Sequence, residues 1–538
     1  MGKPYFGMTG TALNAWVNVA AITAMTLFGY DQGVFGGIIV TDSFLEEMGN
    51  PDSDLQGTIV SLYDIGCFFG AMSTFVIGEP LGRKKTLIIG VIIMSIGAVI
   101  QAAAVNVPMM IVGRIVCGLG NGMNTATAPV LQSETTKPSL RGKMVVLGMI
   151  MNIAGFSLSN WVTYGFSFLD GDISWRFPLA FQLIFSVILI GTVPWLPESP
   201  RWHLSHGQEA EGLAILAALE GNGATIHDTL IIEEKEEIVE AVRIEREQAP
   251  SWGELFRGRT GNTGMVKRLI LGAGEYHFGR TQWMQQLVGI NVTSYYLPLV
   301  LQNSVGLSNT LSRLLAACNS LSYLFFSFAG LWLIERAGRR KLMMWGAAGQ
   351  AVCYILISAL LSQASDPENG TKFGAGATAF FFVYYIFFGI CWQGVPWLYP
   401  VEINSLAMRT KGAAVATASN WISNYCVVQA TPPGIENLGW KFYLIWMSFN
   451  IIFVPLIWLV YPETSNRHLE DIDRLYRENQ GMVFVFRNKD ATSMQRPAHY
   501  VDVEKERMQY VDSTKKKDKL ADEASIEHDE APAALNAA

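Results

Sequence analysis

Asp31 lies in LFGYDQGVFGGIIV (27–40), a stretch that is otherwise soluble in lipid. A carboxylate in such surroundings can exchange a proton, pair with a cation, cap a broken helix or face water idly. Arg114, within GRIVCGLGNG (113–122), is a buried cation. In lipid it costs about 3 kcal/mol unless it is paired or faces water, so it needs a partner. Asp64, in a second apolar stretch, is a rival to Asp31. Uncharged amides gather later: Gln285, Gln286 and Asn291, then Asn420 and Asn424 beside Trp421, with Trp397 between them and Asn152 much earlier. Each amide supplies both a donor and an acceptor, and an indole supplies a flat apolar face. Gln286 and Asn291 diverge somewhat in angle but can border one cavity. A lone amide more often only hydrogen-bonds one helix to another. Charges recur as well: Glu134 precedes Arg141, and Glu402 precedes Arg409, at the same spacing. Their bland reading is as solvated, snorkelled ends. No nucleophile–base set and no metal-ligand spacing is found, so the chain reads as a non-enzyme without cofactor or metal.

The elements that must hold these residues follow from composition. Of 538 residues, 50% are hydrophobic and 16% charged. Apolar stretches near 17–38, 57–78, 86–105, 108–131, 144–165, 177–196, 282–302, 311–334, 342–362, 375–399, 412–430 and 441–461 approach the roughly 20 residues that cross a bilayer. Barrel strands need only about ten alternating residues, so helices are expected. The opening MGKPYFGMTGTALN has no cleavable signal pattern, which makes the first span the expected targeting signal. One alternating set of loops holds Arg83, Lys84, Lys85, Lys137, Arg141, Lys143, Arg336, Arg339, Arg340, Lys341, Arg409 and Lys411; the other holds Arg176, Lys372 and Lys441. Cationic loops stay inside, so both termini are expected in the cytoplasm. The sequon at Asn369 then faces outward as a glycosylation site, while that at Asn291 is buried. The net charge of -7 arises mostly from the central loop and tail, and no basic cluster points to nucleic acid. The six cysteines stand singly in apolar spans and read as small packing residues.

The chain divides into a six-helix half (1–196), a polar linker (197–266) with short amphipathic helices, a second six-helix half (267–464) and a mostly disordered cytoplasmic tail (465–538) that begins with a helix at LEDIDRLY. The halves repeat one another: EPLGRKK (79–85) answers ERAGRRK (335–341), the spaced Glu–Arg pairs answer each other, and PESPR (197–201) answers PET (462–464). Such paired signals mark a duplication. The expected class is an all-α membrane protein of twelve transmembrane helices in two six-helix pseudo-repeats, with a solute site between them near mid-membrane.

With GYDQG, GRIVCGLGNG, QSETT, PESPR, QQLVGIN, ERAGRR, VPW, NWISN and PET in that order, the chain resembles the sugar porters of the major facilitator superfamily, most closely fungal hexose and polyol permeases, over residues 8–475. The resemblance implies the major facilitator fold and a multi-pass plasma-membrane carrier with a proton and a sugar or polyol as partners. It implies sugar contacts at Gln285, Gln286, Asn291, Trp397, Asn420 and Asn152, and a cytoplasmic gate network of Arg83, Glu134, Arg141, Glu198, Glu335, Arg339, Glu402, Arg409 and Glu463. It also implies that Asp31 pairs with Arg114 and couples transport to protons, since passive relatives generally lack the carboxylate. Protonating Asp31 would free Arg114 and change how the first span packs. The glycines of GRIVCGLGNG are assigned to helix packing.

Departures bear on specificity. Met149 stands where the family usually has a glutamine six residues before Gly155, with Asn152 as a stand-in. Asn319 and Tyr323 occupy a region where asparagine is common, and Gly389 lies where many facilitators carry a glutamate. Residues 275–280, EYHFGR, look inserted against the family pattern and bring Glu275, His277 and Arg280 ahead of the seventh span. Proton-coupled import of a sugar or polyol is the leading expectation. A passive uniporter, an exporter of a small metabolite and a non-transporting sugar receptor are the alternatives.

Overall fold

A computed structural model describes residues 4–136, 138–248, 281–364, 366, 368–404, 409–467, 469–479, 483–497 and 500. Residues 275–280 lie outside them, as do the side chains of Arg141 and Arg409.

Twelve helical elements form the body. The first half holds α1 (Gly10–Ile38), α2 (Ser53–Leu81), α3 (Arg83–Ala102), α4 (Val107–Thr135), α5 (Pro138–Phe166) and α6, which runs as Ile173–Phe181 and Leu183–Thr192. The second holds α7 in three pieces (Thr281–Leu287, Ile290–Ser294 and Leu297–Asn303), α8 (Asn309–Ala337), α9 (Arg339–Ser362), α10 (Gly370–Phe387, a π turn Phe388–Trp392, then Val395–Ile403), α11 (Arg409–Leu438) and α12 (Phe442–Val460). Among the described residues, nine stretches are long and apolar enough to cross a membrane, and one of them contains both α11 and α12. The two helices outside these stretches are α4, whose buried face carries Arg114, Asn121, Asn124 and Gln132, and α7, whose described pieces are each too short.

Close approach sets the packing within each half. In α5, a Cβ at Gly155 would stand 2.0 Å from the Thr26 carbonyl oxygen of α1, so only glycine lets these helices touch. The glycines of GRIVCGLGNG do the same for α4: a Cβ at Gly118 would lie 2.1 Å from the Tyr63 carbonyl oxygen of α2, and one at Gly120 would lie 2.3 Å from the Met94 nitrogen of α3. The halves meet along two seams, α2 with α11 and α5 with α8, which occupy equivalent places in the repeat.

The breaks in α7 and α10 face the interior, where a freed carbonyl needs a donor. Gly289 takes φ +93, a left-handed conformation open to glycine at little cost. The Val288 carbonyl accepts from Tyr384 Oη at 3.0 Å and Asn450 Nδ2 at 3.1 Å, and the Gly289 carbonyl accepts from Tyr354 Oη at 3.1 Å. In α10, the Trp392 and Pro396 carbonyls accept from Gln285 and Gln282.

The linker forms helices Pro200–Ser205, Glu209–Glu220 and Thr229–Gln248. Ile215 and Leu219 pack on Leu13 of α1, and Asn14 Nδ2 donates to the Leu219 carbonyl at 2.8 Å. After α12, LEDIDRLY lies in the helix Leu469–Glu478, and Asp471 pairs with Arg496 at 2.6 Å. Four cysteines are buried, Cys318 is partly exposed and Cys426 is exposed, so packing inside the protein does not account for Cys426.

Candidate functional site

The interruptions of α7 and α10 open a cavity between the halves. Its walls are Phe28 and Gln32 of α1; Met149, Asn152, Ile153 and Phe156 of α5; Gln285, Gln286, Ile290, Asn291 and Ser294 of α7; Tyr323 of α8; Phe388, Gln393 and Trp397 of α10; and Asn420, Trp421 and Asn424 of α11. All six residues expected as sugar contacts, together with Trp421 and Asn424, therefore border one space, whereas Asn319 does not line it. Gln32, Gln393, Phe28, Phe156 and Phe388 were not singled out. Gln32 is the residue after Asp31 in GYDQG, and Gln393 follows the π turn, so adjacency to motifs already noted was the available signal.

The amides form a connected set. Asn291 Nδ2 donates to Gln286 Oε1 and to Asn424 Oδ1, each at 2.6 Å, and Gln32 Nε2 approaches Asn291 Oδ1 at 3.5 Å. Asn420 Nδ2 donates to Gln282 Oε1 at 2.6 Å and Gln285 Oε1 at 3.1 Å. Tyr323 Oη donates to Gln393 Oε1. Asn152 Nδ2 reaches the Met25 carbonyl at 3.4 Å. Gln285 thus has both ends engaged, one by a helix break and one by Asn420, whereas Gln286 has its Oε1 engaged by Asn291. Around them the aromatic rings give apolar faces. Amides and ring faces together can match the hydroxyls and the apolar side of an uncharged molecule.

Deeper in the first half, Asp31 and Arg114 are both fully buried, with Oδ1 3.8 Å from Nη1. Arg114 Nη2 donates to the Val60 carbonyl at 2.9 Å, and its guanidinium lies 4.1 Å and 4.4 Å from the ring centres of Phe35 and Tyr63. Neither Asp31 oxygen makes a hydrogen bond of good geometry among the described residues, although Tyr63, Cys117 and Gln182 lie beside it, so the cation is Asp31's main electrostatic support. The two ring faces add a cation–π attraction for the guanidinium.

At the end of the molecule rich in lysine and arginine, the duplicated motifs build two matching clusters. Arg83 meets both oxygens of Glu134, by Nε at 3.0 Å and Nη2 at 3.3 Å, and Glu79 at 3.2 Å. Glu198 accepts the backbone N–H groups of Arg83 and Lys84, each at 3.0 Å, where the α3 dipole favours an anion. In the second half, Arg339 meets Glu402 by Nε at 3.1 Å and Nη2 at 2.7 Å and Glu335 at 3.5 Å, while Glu463 accepts from the Arg339 and Arg340 backbones at 2.9 Å and 3.2 Å. Among the described residues neither cluster forms an ion pair with the other half. At the opposite end, hydrogen bonds do cross between halves: Asn309 Nδ2 to the Val40 carbonyl at 2.7 Å and Arg313 Nη2 to Thr41 Oγ1 at 2.9 Å. Asn369 is partly exposed before α10, and Asn291 is buried. No group of metal-binding side chains is found among the described residues.

Comparison with known proteins agrees with this architecture. The family model described as "Sugar (and other) transporter" matches residues 16–476. The MFS-type transporter oryC of Aspergillus oryzae is 51% identical over 510 residues, covering 94% of this chain and 93% of that protein. The sugar transporter STL1 of Saccharomyces cerevisiae is 34% identical over 486 residues, covering 88% and 83%. Among solved structures, the proton:xylose symporter XylE bound to 6-bromo-6-deoxy-D-glucose superposes with a TM-score of 0.72 at 25% identity, covering 87% of this chain and 100% of that one. The xylose transporter XylE from E. coli in a partially occluded inward-open conformation gives 0.70 at 23% identity, covering 85% and 100%. The helical halves, the central cavity and these matches together establish that the chain belongs to the sugar porter family of the major facilitator superfamily, a family of multi-pass membrane transporters.

Proposed function

We propose that the protein imports a sugar or polyol across the plasma membrane together with a proton, by alternating access, with both termini in the cytoplasm. The observation that carries this reading is the fully buried Asp31–Arg114 pair beside an amide-lined cavity. Gln286, Asn291, Asn420, Asn152 and Trp397 contact the solute, and Gln285 positions Asn420. Protonation of Asp31 cancels its attraction for Arg114, and the altered packing of α1 against α4 shifts the balance between inward- and outward-facing states. A proton moving through 100 mV releases about 2.3 kcal/mol, which supports roughly fiftyfold accumulation of a neutral solute. The clusters around Arg83 and Arg339 act as the cytoplasmic gate, each bracing its own half. XylE, named as a proton:xylose symporter, supports the coupling by analogy.

The test is an uptake panel of hexoses, pentoses and polyols in intact cells with and without an uncoupler. It is paired with the pH of an unbuffered suspension of deenergised cells. Solute addition is expected to alkalinise the medium, and accumulation is expected to vanish with the uncoupler. Uptake without alkalinisation and insensitive to uncoupler would make the protein a uniporter.

A second reading, transport of a less hydroxylated small metabolite, is favoured by Met149, Phe28, Phe156 and Phe388 on the cavity wall and by the 51%-identical relative, whose name specifies no sugar. Uptake or efflux of an aromatic or terpenoid probe, with no hexose, pentose or polyol flux, would select it.

A further inference from the structure

Asp64 of α2 is fully buried and takes no part in the ion pair described above. Its Oδ1 accepts a hydrogen bond of 2.9 Å from Asn424 Nδ2, and its Oδ2 has no hydrogen-bond partner among the described residues. Asn424 also lines the cavity, where its Oδ1 accepts from Asn291 at 2.6 Å. One side chain of α11 therefore faces the candidate solute on one side and a buried carboxylate of the other half on the other.

The groups in electrostatic reach of Asp64 are Asp31 from α1, Cys67 on its own helix, Arg114 from α4, and Tyr295 and Tyr296 from α7; α11 contributes the neutral Asn424. Two carboxylates thus share one guanidinium, and all three side chains are fully buried. With both acids ionised the cluster would carry a net negative charge in a water-poor interior, an expensive arrangement that a single proton removes. Asp31 forms the direct ion pair with Arg114, while Asp64 is held by the Asn424 amide, with Tyr295 beside it and Arg114 farther off.

From this geometry we infer that Asp64 carries a resident proton on Oδ2 and is a second protonation site, read out by the cavity through Asn424. The inference deepens the proton-coupled reading and rests on it for its role in transport. A solute hydroxyl that engages Asn424 competes for the amide that holds Asp64 Oδ1, so occupancy of the cavity changes how firmly the proton is kept. In this role Asp64 is a positioning and proton-holding residue that never touches the solute.

The location of the proton is testable without knowing the solute. Full-length protein in vesicles of ether-linked phosphatidylcholine, which has no ester carbonyl, is examined by infrared spectroscopy for the C=O stretch of a protonated buried carboxyl group at neutral pH. Asp64→Glu and Asp31→Glu keep the charge count unchanged, which guards against simple redistribution of the proton. The band is expected to be present, to move in Asp64→Glu, to stay in place in Asp31→Glu, and to rise in wavenumber in Asn424→Ala, where the bond to the carbonyl oxygen is lost. Absence of the band, a band that follows Asp31→Glu, or one indifferent to Asn424→Ala overturns the inference. Failure of the uptake and alkalinisation measurements with the band behaving as stated would instead remove the transport role and leave the protonation site standing.

Discussion

At the scale of single residues, chemistry depends on groups whose neighbours have already been used. Asn291 is 2% exposed and joins Gln286, Asn424 and Gln32. Asn291→Leu keeps similar bulk but leaves two amide oxygens without their donor, at about 1–3 kcal/mol for each unmet buried group. Apparent affinity for the transported solute is expected to fall roughly tenfold or more, with the protein still reaching the membrane; a titration of uptake rate against concentration measures it, and unchanged affinity would remove Asn291 from the binding set. Asp31→Asn keeps the shape of the fully buried acid and removes its charge. Solute–solute exchange is expected to persist while accumulation against a gradient is lost, measured as counterflow and net uptake in the same vesicles. Much of this was legible in the sequence, because Asp31, Arg114 and the amides of α7 and α11 are polar types in apolar surroundings. The double engagement of Gln285 was not, since the carbonyl it satisfies belongs to a break in a different helix. Gln393 was missed for a related reason: it follows the π turn of α10, which hydropathy does not reveal, and its partner Tyr323 lies on another helix.

At the scale of elements, hydropathy located the helices well where composition and burial agree. It said less about continuity. The span near 282–302 reads as one apolar run, yet α7 is three pieces, because hydropathy sums residue types while the break depends on Gly289 and on distant donors Tyr354, Tyr384 and Asn450. Gly289→Ala should restore neither helix nor fold: its φ of +93 disfavours a side chain, and the new Cβ would lie 2.2 Å from Tyr354 Oη. A cost of about 1 kcal/mol or more is expected from backbone strain alone. It would appear as a lower midpoint in a thermal unfolding assay of the purified protein, and an unchanged midpoint would mean that α7 reorganises freely there. Close packing of α1 on α5 was readable only as a glycine count, because the partner of Gly155, the Thr26 carbonyl, is fixed by how the two helices cross.

For the whole molecule, the duplicated sequence motifs pointed to matched charges at the Arg83 and Arg339 ends, and among the described residues each set pairs within its own half. The sequence could not show where the halves are tied to one another, because those ties are between side chains and backbone atoms far apart in the chain. Asn309 and Arg313 at the start of α8 hold Val40 and Thr41 at the end of α1, and Gln429 of α11 accepts from Ser61 of α2 at 2.7 Å. In alternating access, separating the halves at this end must break these bonds, whereas the intra-half clusters can survive it intact. Asn309→Ala with Arg313→Ala removes two inter-half bonds worth about 0.5–1.5 kcal/mol each, so the population open at this end should rise roughly fivefold to more than a hundredfold, within the limit set by full opening. A cysteine at Ser61, which is fully buried on the α2–α11 seam, reports that opening through its rate of labelling by a membrane-impermeant maleimide, measured against the same protein without it. Faster labelling in the double variant, with Arg83→Ala and Arg339→Ala leaving that rate unchanged or lowering it, is the expected result. Equal rates in the double variant and its parent would show that the α1–α8 contacts do not hold the halves together, and that the seams between apolar helix faces do so instead.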